Sequence, residues 1–150
     1  MIAVVQRVSE SSVSIDGEVK GSTGTGLMIL LGVEEADDQE DVTWLSRKIA
    51  NMRIFPDEAG VMNRSIIEVD GEALVISQFT LHASTKKGNR PSYIKAARPE
   101  TAIPLYEAFK TQLSTDLGKE VASGEFGADM KVALINDGPV TIIIDTKDKK

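Results

Sequence analysis

His82 is the only histidine of the chain, and there is no cysteine. If the chain is extended here, Gln78, Thr80 and His82 share one face, because side chains alternate along a strand. A Thr–His pair of this kind could act as nucleophile and base. No carboxylate can be tied to the pair as an orienting third member, so the plainer reading is a histidine that ends its strand at the surface. Without cysteine there is no disulfide, thiolate nucleophile or Cys-based zinc site. No Walker loop, dinucleotide fingerprint or zinc-helix motif occurs. Gly21-Ser22-Thr23-Gly24-Thr25-Gly26 reads as a flexible turn, since no phosphate-binding helix start follows it. Neither a metal nor a cofactor is expected.

Two other segments are physically odd. Ser77-Gln78-Phe79-Thr80 ends an apolar run with three polar side chains and one aromatic. Polar groups at the end of a buried strand need partners, or they serve a ligand. In Asn136-Asp137-Gly138-Pro139-Val140-Thr141, a Gly-Pro step separates two apolar stretches. Proline cannot continue a ladder, so the step is an exposed turn, an edge, or a cis bond held for a purpose. Charge supplies a third clue. Of the net charge of −6, residues 82–99 account for +5 through Lys86, Lys87, Arg90, Lys95 and Arg98, which leaves −11 for the rest. A basic patch on an acidic body suits a local grip on RNA; a solvated loop with counter-ions nearby is the plainer reading of composition alone.

The elements that must position these residues read as follows. Ile2–Val8 and Val13–Val19 are strand-like, with a turn at Asp16-Gly17. Leu27–Val33 is a short apolar run, expected as a strand covered on both faces. Val42, Leu45, Ile49 and Met52 mark one face of a helix, which Asp37 and Asp38 can cap. Arg53–Phe55 is extended and Pro56–Gly60 is a turn. Ser65–Val69 and Ala73–Leu81 are expected to form a hairpin about Asp70-Gly71, followed by a basic loop over 82–98. A second helix runs from about Glu100 to Leu117, with Ala102, Leu105, Phe109 and Leu113 on one face and Gly118 as its stop. Pro104 is tolerable there only in the first turn. Lys131–Ile135 and Val140–Asp145 are expected as two strands, and 146–150 as a frayed tail.

At 150 residues, with 41% apolar and 27% charged residues, this is one soluble domain of α+β class, residues 1–150. Turn-linked strands imply a largely antiparallel or mixed sheet. No apolar run is long enough to span a membrane and the N-terminal residues lack a signal-peptide pattern, so the cytosol is the expected compartment.

Taken together the motifs closely resemble the D-aminoacyl-tRNA deacylase family, the D-tyrosyl-tRNA deacylase type. The resemblance runs from Met1 to about Asp145. It is carried by Ala3–Val8, Leu30–Val33, Arg47–Phe55, Ser77–Leu81, Lys87–Ser92, Phe126–Met130 and Asn136–Thr141. One departure is His82, where the family usually has an aromatic residue.

The resemblance implies a homodimer of a compact, barrel-like sheet flanked by two main helices, with an active site at each end of the interface. It implies a hydrolase of translation quality control that frees tRNA from D-amino acids and rejects L-aminoacyl-tRNA. It makes Gly138 and Pro139 a cis chiral gate that reaches the partner's site, with Asn136 beside it. Backbone carbonyls there would accept from the substrate's α-ammonium, and glycine would escape the selection. Ser77, Gln78, Phe79 and Thr80 would form the catalytic segment, with Ser77 and Gln78 holding the ribose and Thr80 in a positioning role. Backbone N–H groups near Phe79 and Thr80 would receive the oxyanion, and the ribose 2′-hydroxyl would assist. Phe79, Ala128 and Met130 would border the terminal adenosine, and Lys86, Lys87 and Arg90 would meet acceptor-stem phosphates. Two rivals differ in class. A non-catalytic RNA-binding module would want interleaved aromatics, and this chain has only seven. A small-molecule esterase would want a side-chain triad.

Overall fold

In a computed structural model that describes all residues 1–150, the molecule is built around one long strand. β1 (Ile2–Ile15) pairs antiparallel with three partners: β2 (Glu18–Thr23), β3 (Gly26–Gly32) and the last strand, β8 (Lys131–Asp145). The β1–β2 connection is the expected tight turn, with both Asp16 (φ 51°) and Gly17 (φ 79°) left-handed. Gly21, Ser22 and Thr23 belong to β2 rather than to a turn; the bend is confined to Gly24-Thr25. β3 pairs parallel with β6 (Glu72–Ser77), which pairs parallel with β7 (Ala122–Ser123), a strand the sequence did not suggest. A small two-stranded ribbon, β4 (Phe55–Pro56) and β5 (Met62–Arg64), lies apart. The main sheet is thus mixed. It curls until β2 meets β7, where a Cβ on Gly21 would lie 3.1 Å from the Ser123 carbonyl oxygen. This close approach makes the sheet a nearly closed barrel.

The expected hairpin over 65–81 does not form. Ser65 and Glu68 bond each other's backbone N–H groups through their side chains (3.0 and 3.2 Å), a local arrangement that competes with strand pairing. Residues 65–71 are therefore turns, and β6 finds its partner in β3 instead.

Two helices cover one face. α1 (Gln39–Asn51) begins with a reciprocal capping box between Asp38 and Asp41. Asp37 does not cap; its carboxylate accepts from the Met1 amino group at 2.6 Å and from the Glu34 N–H at 2.8 Å. α2 (Pro99–Leu117) ends at Gly118, whose φ of 73° makes it the left-handed stop. Its buried face is Ala102, Tyr106, Phe109, Leu113 and Leu117; Tyr106 takes the place expected of Leu105, which is only half-buried. Pro104 lies beyond the first turn. It is exposed, as is Glu100, so the carbonyl that loses its donor faces water. Burial, aided by the charge of Glu107, pushes the Tyr106 hydroxyl up to about 12; the group donates to the Val75 carbonyl at 3.1 Å.

β3 and β6 separate two cores by strand alternation. Leu27, Ile29, Leu31, Ala73 and Val75 pack toward the helices, while Met28, Leu74 and Ile76 join Val8 and Val13 in a smaller cluster. The expectation that Leu27–Val33 is covered on both faces is met. The tail expected to fray is partly anchored: Thr146 is buried and receives a hydrogen bond from the Met1 amino group, and Lys147 pairs with Asp41 at 2.9 Å. No helix is long and apolar enough to cross a membrane.

Candidate active site

Strand β6 ends where the polar segment begins. Gln78 N–H still bonds the Leu31 carbonyl of β3 (2.8 Å), and then the chain tightens into a 3₁₀ turn over Phe79–His82. The strand alternation that placed Gln78, Thr80 and His82 on one face therefore does not apply. The first N–H groups of such a turn have no acceptor within it. Opposite them, Phe126–Met130 closes a cleft of about 260 Å³ lined by Ser77, Gln78, Phe79, Ala128 and Met130, with Ile76 and Val132 among its walls. Five of the expected site residues thus meet in one place. Thr80 sits behind them, where its hydroxyl accepts from the Gln78 side-chain amide.

His82 is not at the surface. It is buried at 7% exposure with Nε2 unpartnered, and it lies outside the cleft, against Gly32. A larger cleft of about 570 Å³ lies between α2 and Lys119–Ser123, but none of the site motifs lines it. No three His, Asp or Glu side chains converge closely enough to hold a metal ion.

The Gly-Pro segment lies elsewhere. The two strands expected on either side of it are one strand, β8, because both pair with β1 in the same direction. Between Gln6↔Thr141 and Val8↔Asn136 the register jumps, so Asp137, Gly138, Pro139 and Val140 stand opposite Arg7 as a bulge. The Gly138–Pro139 bond is cis, and Gly138 has φ 129°. That φ favours glycine, and a Cβ on Gly138 would also press on Arg7 Nη2 at 2.9 Å. Arg7 holds the bulge from below: Nε donates to the Asp137 carbonyl (2.9 Å) and Nη1 to the Ile54 carbonyl (2.7 Å). Gln6 donates to the Asn136 side chain at 3.0 Å. Asn136, Gly138 and Pro139 are exposed, and none of them lines the cleft of their own chain.

Lys86, Lys87 and Arg90 are exposed in a loop closed by paired backbone bonds between Ser84 and Ser92 (2.8 and 2.9 Å). Sequence reasoning missed Arg7 as a working residue and Phe126 as part of the wall. A signal for Arg7 was present: a charge in a strand otherwise destined for the core must have a fixed partner.

Comparison with known proteins shows the family. Residues 4–145 match the family model described as D-Tyr-tRNA(Tyr) deacylase. The chain is 67% identical over 150 residues, and over the full length of both, to a protein of Bacteroides thetaiotaomicron named D-aminoacyl-tRNA deacylase. A solved structure titled c-Myc DNA Unwinding Element Binding Protein superposes with a TM-score of 0.90 at 40% identity, covering 97% of this chain and 99% of that one. A second, titled as a probable eukaryotic D-amino acid tRNA deacylase, shares the fold at TM-score 0.82 and 15% identity, covering 95% and 97%. With its cleft formed by the same motifs that carry the resemblance, the chain belongs to the D-Tyr-tRNA(Tyr) deacylase family.

Proposed function

We propose that this chain hydrolyses the ester of D-aminoacyl-tRNA in the cleft between Ser77–Phe79 and Phe126–Met130, releasing free D-amino acid and tRNA. The observation that carries the reading is the cleft itself: it joins two motif segments far apart in sequence, one of which runs into a 3₁₀ turn. Water adds to the ester carbonyl carbon, and the oxyanion is received by N–H groups at Phe79 and Thr80. The bond to the ribose oxygen then breaks, and that oxygen takes a proton relayed through the neighbouring 2′-hydroxyl. Ser77 and Gln78 hold the ribose, Thr80 fixes the Gln78 amide, and Phe79, Ala128 and Met130 border the terminal adenosine. The reacting ester is already activated, so placement supplies much of the rate.

The chiral gate comes from a second copy of the chain. Gly138 and Pro139, flanked by Asn136, stand exposed and away from their own cleft. β8 pairs only with β1, and Ile135 and Ile143 on it are 53% and 71% exposed, which suits a homodimer that covers this strand. In the dimer the bulge enters the partner's cleft, and its backbone carbonyls accept from the α-ammonium. A D side chain then points outward and an L side chain meets the wall. Lys86, Lys87 and Arg90 meet acceptor-stem phosphates, and the reaction belongs to the cytosol, where tRNA is charged.

The decisive assay offers purified protein D-Tyr-tRNA, L-Tyr-tRNA and D-Tyr methyl ester. Cleavage of the first alone is expected. Comparable cleavage of the methyl ester would make the protein a general esterase, and binding without cleavage would make it an RNA-binding module.

A further inference from the structure

Phe79 has a neighbour that no part of this mechanism uses. Tyr93 stands edge-on to it, with ring centroids 5.2 Å apart and planes at 71°. Neither ring is spent on the core: Phe79 is 54% and Tyr93 41% exposed. Phe79 lines the cleft, and Tyr93, which does not, packs edge-on against Phe79 beside it. The backbone holds Tyr93 in place from both sides. Ser92 is paired with Ser84, the Ala96 N–H bonds the Tyr93 carbonyl (3.1 Å), and the Ala97 N–H bonds the Val33 carbonyl (2.8 Å). The same segment carries Lys86, Lys87, Arg90 and Lys95 and no acidic residue.

We infer that Tyr93, braced by Phe79, is a stacking platform for the base of the nucleotide that precedes the terminal adenosine of bound tRNA. A strand whose last nucleoside fills the cleft against Phe79 would find in Tyr93 an exposed aromatic surface directly beside that wall. Stacking tolerates any base and needs an exposed ring beside cations that take the phosphates. A ring carried on an ordered backbone and packed against Phe79 has less freedom to lose on binding than one on a loose loop. The inference rests on the cleft being the aminoacyl-adenosine site.

The test compares wild type, Tyr93→Leu and Tyr93→Phe on two substrates, D-Tyr-tRNA and D-Tyr-adenosine, the second lacking the preceding nucleotide. The ratio of KM for D-Tyr-tRNA to KM for D-Tyr-adenosine is expected to rise about tenfold in Tyr93→Leu, within the range for loss of a stacking ring. Tyr93→Phe is expected to restore the ratio, since the ring and not the hydroxyl is at work. Because both substrates are read on the same protein, a folding defect cancels from the ratio. A ratio in Tyr93→Leu equal to that of wild type overturns the platform, as does a parallel rise in both KM values, which would leave Tyr93 only a prop for Phe79. Phe79→Ala separates the two layers. If it cleaves D-Tyr-adenosine as well as wild type does, the cleft assignment falls and the platform with it. If it is impaired while the Tyr93→Leu ratio stays put, the platform alone falls.

Discussion

At the scale of single residues, the cleft is lined by one acid–base side chain, Asp129, and by no histidine, lysine or cysteine. The chain's one histidine is buried away from the cleft, so no imidazole stands ready to activate Thr80. Thr80 instead accepts from Gln78, which suits a residue that positions its neighbour. If the N–H groups and the substrate's own 2′-hydroxyl do the chemistry, as proposed, Thr80→Ala is expected to keep substantial activity on D-Tyr-tRNA. A tRNA ending in 2′-deoxyadenosine is expected to be cleaved far more slowly by the wild type. Single-turnover rates check both. A loss of about 10⁴-fold or more in Thr80→Ala, the scale of a deleted nucleophile, would point to covalent catalysis instead. Arg7 works at this scale too. It spends its donors on carbonyls of Asp137 and Ile54, and so converts an extended strand into a platform for the Gly138-Pro139 bulge.

At the scale of elements, the C-terminal segment illustrates how ionic contacts anchor a chain end. Burial works to raise the Asp41 carboxyl, but hydrogen bonds from Lys147, Thr146 and the Asp38 backbone outweigh it and hold the group well below the usual carboxylate range. A carboxyl held low in the folded state stabilises the fold above its unfolded value near 3.8 and loses that effect as pH falls toward the folded value. Lys147→Met is thus expected to cost about 1 kcal/mol at pH 7, Lys147 being partly exposed and screened. The difference from wild type should hold down to about pH 4 and close below it, as urea melts at a series of pH values will show. This anchoring was invisible in the sequence because it depends on which acids fold against the tail, a fact of tertiary pairing. The same limit explains the other departures. Leu27–Val33, the two helices and the stop at Gly118 were legible because periodicity and capping are local signals. Ser65–Val69 misled because Ser65 and Glu68 satisfy backbone groups locally, and β7 is too short to have a pattern. The 3₁₀ turn at Phe79 was hidden for a related reason: alternation describes a strand only while its ladder continues. Of the site, the segments Ser77–Thr80 and Asn136–Thr141 stood out by chemistry alone. That one frames a cleft and the other forms a bulge held by Arg7 needed the fold.

At the scale of the whole molecule, the proposed function divides between the cleft and the bulge, which lie at separate places on one chain. If the homodimer unites them, the protein should sediment at about twice 16.2 kDa. Each site should then draw Gly138 from the other subunit. Mixing a Gly138→Ala protein with a Phe79→Ala protein, each impaired on its own, followed by subunit exchange, should regenerate one intact site in each mixed dimer. Random exchange predicts recovery to about a quarter of wild-type activity, whereas a site complete within one chain predicts none. The way the gate selects has a consequence for glycine. In the proposed function the bulge would offer the substrate backbone carbonyls and would exclude an L-residue by where the side chain must lie. Glycine has no side chain to exclude, while its ammonium and ester fit as those of a D-residue do. The contact of one methyl group is worth only about 1–3 kcal/mol, too little to spare glycine by itself. Purified enzyme is therefore expected to deacylate Gly-tRNA measurably while leaving L-Ala-tRNA and L-Tyr-tRNA intact. In the cell an elongation factor would have to shield correctly charged Gly-tRNA, and adding one to the assay should protect Gly-tRNA more than D-Tyr-tRNA. If unshielded Gly-tRNA survives under conditions that rapidly cleave D-Ala-tRNA, the gate must grip the D side chain itself, and selection by backbone alone is wrong.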